Sequence, residues 1–119
     1  MKENTIAQAQ QSQAETLRVI TRVPDCDVIE QPNSVRVILD MPGVGVDDLN
    51  IDVHARVLKV VGKTALPWRE RRISYERQFQ LSEDIDCDKI SAAIKNGVLA
   101  LTLPKLESAK VHKIKVVSA

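Results

Sequence analysis

The chain has 119 residues, a length that suits one domain with one hydrophobic core. Its formal net charge of +1 predicts no strong attraction to nucleic acid or to an anionic membrane. Aromatic residues make up only 3% of it, which argues against a base-stacking surface and leaves Val, Ile and Leu to build the core.

The sequence indicates neither a membrane span nor an exported protein. It has no run of about 18 apolar residues, and its first residues lack the apolar segment of a signal peptide. A cytoplasmic location is therefore expected. Cys26 and Cys87 form no C-x-x-C pair, and in a reducing compartment such residues are more often small core residues than a disulfide or metal pair.

Residues 1–23 differ in composition from the rest of the chain. Four glutamines crowd positions 8–13, and the segment has too few apolar residues to offset the entropy lost on ordering. We expect a disordered or weakly helical arm. Two interpretations remain open, an arm without a role of its own and an arm that contacts partners.

From residue 25 onward, apolar and polar residues alternate with a period of two. This alternation predicts strands at 27–30, 35–41, 49–53, 57–61 and 73–81, with a tight connection at Ala55-Arg56. No helical period appears between residues 24 and 119. Short strands separated by turn residues every 8–12 positions are typical of an antiparallel β-sandwich.

Arg77 breaks the pattern of the strand predicted at 73–81. It shares a face with Ile73, Tyr75, Phe79 and Leu81. A buried guanidinium is costly unless it meets a carboxylate or carbonyl groups. Either this face is partly open, or Arg77 has a partner, which includes a partner across an interface.

A hairpin and a tail follow. Asn96-Gly97 lies between two apolar runs and predicts a type I′ turn joining strands at 90–94 and 98–103, which Pro104 ends. Beyond a polar tether, Ile114 and Val116 lie on one side of an extended segment, about 7 Å apart. This segment is either a tail that adds to a sheet edge or a last strand of the same sandwich.

We find no pattern that indicates an enzyme or a bound cofactor. The Asp84-x-Asp86-x-Asp88 run resembles a calcium loop, but lysines occupy the positions that need Gly and Glu. The sequence contains no Walker motif and no nucleophile elbow, and His54 and His112 lack the spacing of metal ligands.

Five stretches together resemble the small heat-shock proteins, the α-crystallin-domain family. They are residues 37–49 with Met41-Pro42-Gly43, residues 58–63, residues 75–86, the A-x-x-x-N-G-V-L match at 92–99, and Ile114-Lys115-Val116. The resemblance implies an all-β, immunoglobulin-like antiparallel β-sandwich at residues 24–104, between the arm and an extension at 105–119.

The resemblance also implies a function, an ATP-independent holdase that binds unfolding client proteins. It implies a homodimer that assembles further, with ATP-dependent chaperones as downstream partners. Ile114 and Val116 would fill a groove between two edge strands of a neighbouring subunit. The groove candidates are Leu49, Ile51, Val53, Ile90, Ala92 and Ile94, and the candidates for the dimer interface are Arg77, Trp68 and Tyr75.

Two questions stay open at this point. The short connection at 63–72 leaves a swapped-strand dimer and a dimer of paired long strands as alternatives. An adaptor that binds one folded partner, and a structural assembly domain, are the other interpretations of the same sandwich.

Overall fold

The structure is a computed structural model that describes residues 18–64 and 71–119. The regular structure of these residues is eight strands and three single-turn 3₁₀ helices. The strands are β1 (Arg18–Arg22), β2 (Cys26–Glu30), β3 (Ser34–Asp40), β4 (Leu49–His54), β5 (Val57–Lys63), β6 (Arg71–Gln80), β7 (Ser91–Lys95) and β8 (Val98–Pro104). The helices are Val46–Asp48, Cys87–Lys89 and Glu107–Ala109. No helix in the described ranges is long and apolar enough to cross a membrane.

The strands form two four-stranded sheets. One has the order β1-β6-β5-β4 and the other β2-β3-β8-β7. Every pairing is antiparallel except that of β1 with β6, which is parallel. The predicted all-β sandwich is confirmed, and β2 to β8 match the seven expected strands within two residues at each end. β1 was not predicted, and it lies inside the segment expected to be an arm.

The core lies between the two sheets and is mostly aliphatic. Leucines dominate it because inward positions of β3, β5 and β8 carry Leu or Val on alternate residues. Burying each such side chain contributes about 1.5–3 kcal/mol before entropy is subtracted. The buried apolar residues are Val37, Leu39, Met41, Val44, Leu58, Val60, Tyr75, Leu81, Ile85, Leu99, Leu101 and Leu103.

The Asn96-Gly97 turn has the predicted geometry. Asn96 has φ 52° and Gly97 has φ 75°, so both central residues adopt the left-handed conformation that a type I′ turn requires. The turn also packs against the end of β3. Met41 donates its N–H to the carbonyl of Gly97 at 2.6 Å, which connects the β7–β8 hairpin to the rest of the sheet.

A second turn has left-handed residues but no glycine. Ala55 and Arg56, between β4 and β5, have φ of 49° and 62°. The Arg56 guanidinium donates to the carbonyls of Ser82 at 3.1 Å, Glu83 at 3.1 Å and Ile85 at 3.2 Å. It therefore holds the loop that leads into β7 against the β4–β5 turn, which joins the two sheets at this point.

The stacking of the sheets determines which strands meet at each side. Arg77 of β6 donates to the carbonyl of Pro24, just before β2, at 3.2 Å. A hollow between the sheets is lined from the same side by Val28, Val35, Phe79 and Leu81. Because β6 thus covers β2 and β3, the edge strands β4 and β7 lie at the opposite side of the sandwich.

Candidate functional site

The edge strands β4 and β7 form the candidate groove. Along β4, half-buried and exposed residues alternate, so Leu49, Ile51 and Val53 turn toward the core. On the other sheet Ile90 and Ile94 also pack against the core, whereas Ala92 is exposed. The structure therefore places five of the six predicted groove residues at the border between core and solvent, and the small Ala92 at the surface. We call these six residues the groove; their binding role stays a prediction.

The outer face of β4 is acidic. Asp47, Asp48 and Asp52 line a shallow depression of about 690 Å³ that extends over the outer face of β5 and β6. Its other charged residues are Glu76, Lys59 and Lys63. Four carboxylates and two ammonium groups leave the depression with a formal charge of −2. The sequence alone does not predict this feature, because residues of β4, β5 and β6 come together only in the sheet.

The chain beyond β8 is held to the body as far as Leu106, and a local ion pair follows. Leu106 donates its N–H to the carbonyl of Asp84 at 2.7 Å, and Lys110 pairs with Glu107 at 2.6 Å. The hydrogen bond and positive charge of Lys110 lower the pKa of Glu107. These contacts fix the place from which the remaining residues leave the sandwich.

Residues 111–119, which we call the tail, carry no regular structure and are exposed throughout. Ile114 is 87% exposed and Val116 is 88% exposed. These two side chains therefore do not fill the groove of their own chain. Of the two interpretations left open by the sequence, the structure favours a free tail over a last strand of the sandwich.

The three residues predicted at a dimer interface have different surroundings. Tyr75 is only 7% exposed and donates its hydroxyl to the carbonyl of Pro42 at 3.4 Å. Arg77 is half-buried, bonded to Pro24 and placed 5.4 Å from the centre of the Phe79 ring. Carbonyl and aromatic partners within its own chain thus account for a guanidinium on the apolar face. Trp68 lies outside the described residues, and the interface role of all three stays a prediction.

Both cysteines are free and half-buried. Burial raises the pKa of the Cys26 thiol, and the positive charge of Arg77 opposes this shift only in part. Within the described part of the chain, no group of three or more His, Cys, Asp or Glu side chains is placed to hold a metal ion.

Comparison with known proteins decides the family. Residues 27–118 match the Hsp20/alpha crystallin family. The match covers most of the chain and includes the groove and all but the last residue of the tail. The chain belongs to this family. Small heat-shock proteins are ATP-independent chaperones and not enzymes, and the resemblance seen in the sequence is confirmed.

Individual relatives agree with the family match. The chain is 32% identical over 112 residues to the probable 15 kDa heat shock protein of Leptospira interrogans, which covers 87% of this chain and 85% of the relative. It is 37% identical over 93 residues to the chloroplastic heat shock 22 kDa protein of Chlamydomonas reinhardtii, which covers 68% of this chain. The match spans only 59% of that relative's length.

The fold agrees as well. Heat shock protein 16.0 from Schizosaccharomyces pombe superposes with a TM-score of 0.63 at 28% sequence identity, covering 82% of this chain and 99% of that chain. The expected α-crystallin type of sandwich is therefore confirmed by sequence and by structure.

Proposed function

We propose that this protein is an ATP-independent holdase, which binds unfolding client proteins through the groove and keeps them from aggregating. The observation that carries the proposal is the pairing of two features in one chain. The groove is an apolar edge on which half-buried side chains meet solvent, and the tail holds two apolar side chains that no residue of the described ranges covers. Among the described residues neither feature has a partner, and each suits the other.

The edge position gives the groove its binding chemistry. An edge strand has backbone groups free to pair with an added extended segment, and side-chain pockets then select for apolar residues at alternate positions. Unfolding proteins expose segments of this kind. A groove left open at all times would itself promote aggregation, so a reversible cover is needed.

The tail of a neighbouring subunit is the proposed cover. Burying Ile114 and Val116 contributes about 1.5–3 kcal/mol for each side chain, and ordering the residues around them costs about 1–2 kcal/mol for each backbone position. The two contributions nearly cancel, which makes a single tail contact weak. A client segment can therefore replace the tail, while many such contacts together still support an assembly.

The assembly itself is part of the proposal. The building block is a homodimer with Arg77, Trp68 and Tyr75 near its interface, and Tyr75 acts there from within the core by fixing the position of β6. Tails join dimers into larger oligomers in the cytoplasm. Clients pass on to ATP-dependent chaperones, and this protein needs no cofactor.

Light scattering of a heat-labile client, with no nucleotide added, tests the holdase. We expect near-stoichiometric amounts of the protein to suppress aggregation. The double variant Ile114→Ser/Val116→Ser should give smaller assemblies and suppress aggregation at a lower temperature, because its grooves are uncovered. No suppression at any temperature by a folded oligomer would contradict the proposal and favour an adaptor or a structural assembly domain.

A further inference from the structure

The acidic residues of β4 and its groove residues lie on opposite faces of the same strand. Leu49, Ile51 and Val53 turn toward the core, while Asn50 and Asp52 between them point outward. Asp48, directly before β4, is exposed in the same depression as Asp52. The three ion pairs among the described residues involve neither Asp48 nor Asp52. Asp52 has Lys59 as its cross-strand neighbour.

The tail has the complementary pattern. Lys113 and Lys115 alternate with Ile114 and Val116, and no acidic residue follows Glu107. In an extended segment, alternate side chains point to opposite faces. A tail that lies beside β4 with Ile114 and Val116 in the groove therefore turns both lysines to the outer face, where the carboxylates are.

We propose that Lys113 and Lys115 of the tail pair with Asp48 and Asp52 beside the groove of a second copy of this chain, and that these charges strengthen docking along its β4 strand. The inference rests on the tail-in-groove contact of the proposed function. The two lysines lie two positions apart in the tail, whereas the two carboxylates lie four positions apart, with Asn50 between them. One lysine therefore pairs with the carboxylate directly across from it, and the other reaches its carboxylate diagonally.

Solvent exposure of these charged groups limits how much their pairing changes the affinity of docking. An exposed ion pair changes an equilibrium constant by about twofold to fivefold, and salt weakens it. Opposite charges across neighbouring strands contribute within the same range, whereas like charges destabilise. The two pairs together therefore adjust affinity modestly and contribute to the choice of partner.

A charge-exchange experiment on the full chain tests the inference. The variants are Lys113→Glu/Lys115→Glu, Asp48→Lys/Asp52→Lys and the quadruple combination of both. Analytical ultracentrifugation gives the concentration at which each assembly is half dissociated, between about 0.05 M and about 0.5 M salt. We expect each double variant to raise this concentration about tenfold at low salt, the quadruple variant to return toward the original value, and high salt to remove the differences.

Matched controls separate pairing from other causes. Glu83→Lys/Asp84→Lys makes the same charge change on two exposed residues outside the groove, the acidic depression and the predicted dimer interface, and should leave the salt dependence unaltered. If Asp48→Lys/Asp52→Lys disturbs folding, as judged by circular dichroism, Asp48→Asn/Asp52→Asn replaces it and should weaken assembly about twofold to fivefold at low salt. A tail seated instead in the hollow lined by Val28, Val35 and Phe79 would give no rescue in the quadruple variant, which overturns the inference.

The Ile114→Ser/Val116→Ser variant distinguishes the inference from the proposal beneath it. If this variant dissociates the assembly while Lys113→Glu/Lys115→Glu does not, charge pairing is refuted and tail docking stands. If neither variant changes the assembly, the tail contact is itself refuted, and the inference with it. Suppression of client aggregation, measured separately, decides the holdase activity in either case.

Discussion

Gly97 satisfies two independent requirements at one position. Its φ of 75° lies in the left-handed region, and a Cβ there would meet the Cα of Pro42 at 2.9 Å and the carbonyl oxygen of Met41 at 3.1 Å. Both neighbouring atoms belong to the backbone and cannot move aside as a side chain can. The A-x-x-x-N-G-V-L match thus reflects a packing constraint as well as a turn preference.

We expect Gly97→Ala to lower the free energy of unfolding by about 2–4 kcal/mol, from left-handed strain and from overpacking against Pro42. Urea denaturation measures the change. Gly45→Ala is the matched control, because Gly45 has φ −99° and a Cβ there would meet only the Asp48 carboxylate, at an ordinary contact distance of 3.8 Å. A loss at Gly97 no larger than that at Gly45 would show that the β7–β8 hairpin moves away from Pro42 at little cost.

Arg56 shows why a turn without glycine is tolerated. Its left-handed backbone carries a cost, but its side chain supplies hydrogen bonds to three carbonyls of the 82–87 loop and one to the Cys87 sulfur at 3.3 Å. No glycine makes such contacts. Arg56 is therefore tolerated in this left-handed turn because its side chain stabilises the neighbouring loop.

Removing that side chain should be destabilising. Arg56→Ala keeps the backbone strain and loses the charge-assisted hydrogen bonds, so we expect a loss of about 1.5–3 kcal/mol in the free energy of unfolding. Ala55→Gly, which relieves strain at the neighbouring exposed position, should instead stabilise by up to about 1 kcal/mol. Thermal unfolding compares the two variants, and equal effects would contradict the assigned role of the guanidinium.

Among the described elements, β1 is one of three edge strands with a single half-buried residue, the others being β2 and β7. It is a five-residue parallel edge strand in which only Ile20 is half-buried, so few apolar contacts hold it to β6. By contrast, β3 and β8 lie in the middle of their sheet and carry fully buried leucines. Local opening follows such differences in burial.

We expect the amides of β1 to exchange with deuterated solvent well before those of β3 and β8. Hydrogen exchange followed by mass spectrometry compares the peptides, and fraying of an edge strand takes place without global unfolding. The residues of β2, another edge strand, serve as an internal reference with antiparallel pairing. Protection of β1 equal to that of β8 would mean that it belongs to the cooperative core.

At the scale of the whole molecule, the proposed holdase depends on a balance that temperature shifts. Release of a tail regains conformational entropy, and the entropic contribution to the free energy grows with temperature. Warming should thus uncover grooves before the sandwich unfolds, because the core buries far more apolar surface than the tail contact does.

We expect subunit exchange and client capture to rise together on warming. Energy transfer between labelled subunits reports exchange, and light scattering of a client reports capture. In Ile114→Ser/Val116→Ser, exchange should already be fast in the cold and should gain little from heat. Capture that rises while exchange stays constant would assign client binding to a surface other than the groove.

The sequence by itself determined the seven strands β2 to β8, because alternation and turn chemistry are local properties that each short segment carries within it. The Asn96-Gly97 turn and the sandwich class follow from the same local rules. The five stretches of resemblance then identified the family. The strands β4 and β7, predicted to form the groove, lie apart along the chain and reach the same side of the sandwich only in the fold.

Other features were decided by the tertiary structure. β1 carries too weak a pattern to be predicted and exists as a strand because β6 offers it an edge. The partners of Arg77 and Arg56 lie 53 and 26 residues away from them in sequence, so no local rule finds them. The acidic depression likewise forms only when the sheet forms, because residues from three strands line it. Local spacing sets which way a side chain points, and only packing sets what it meets.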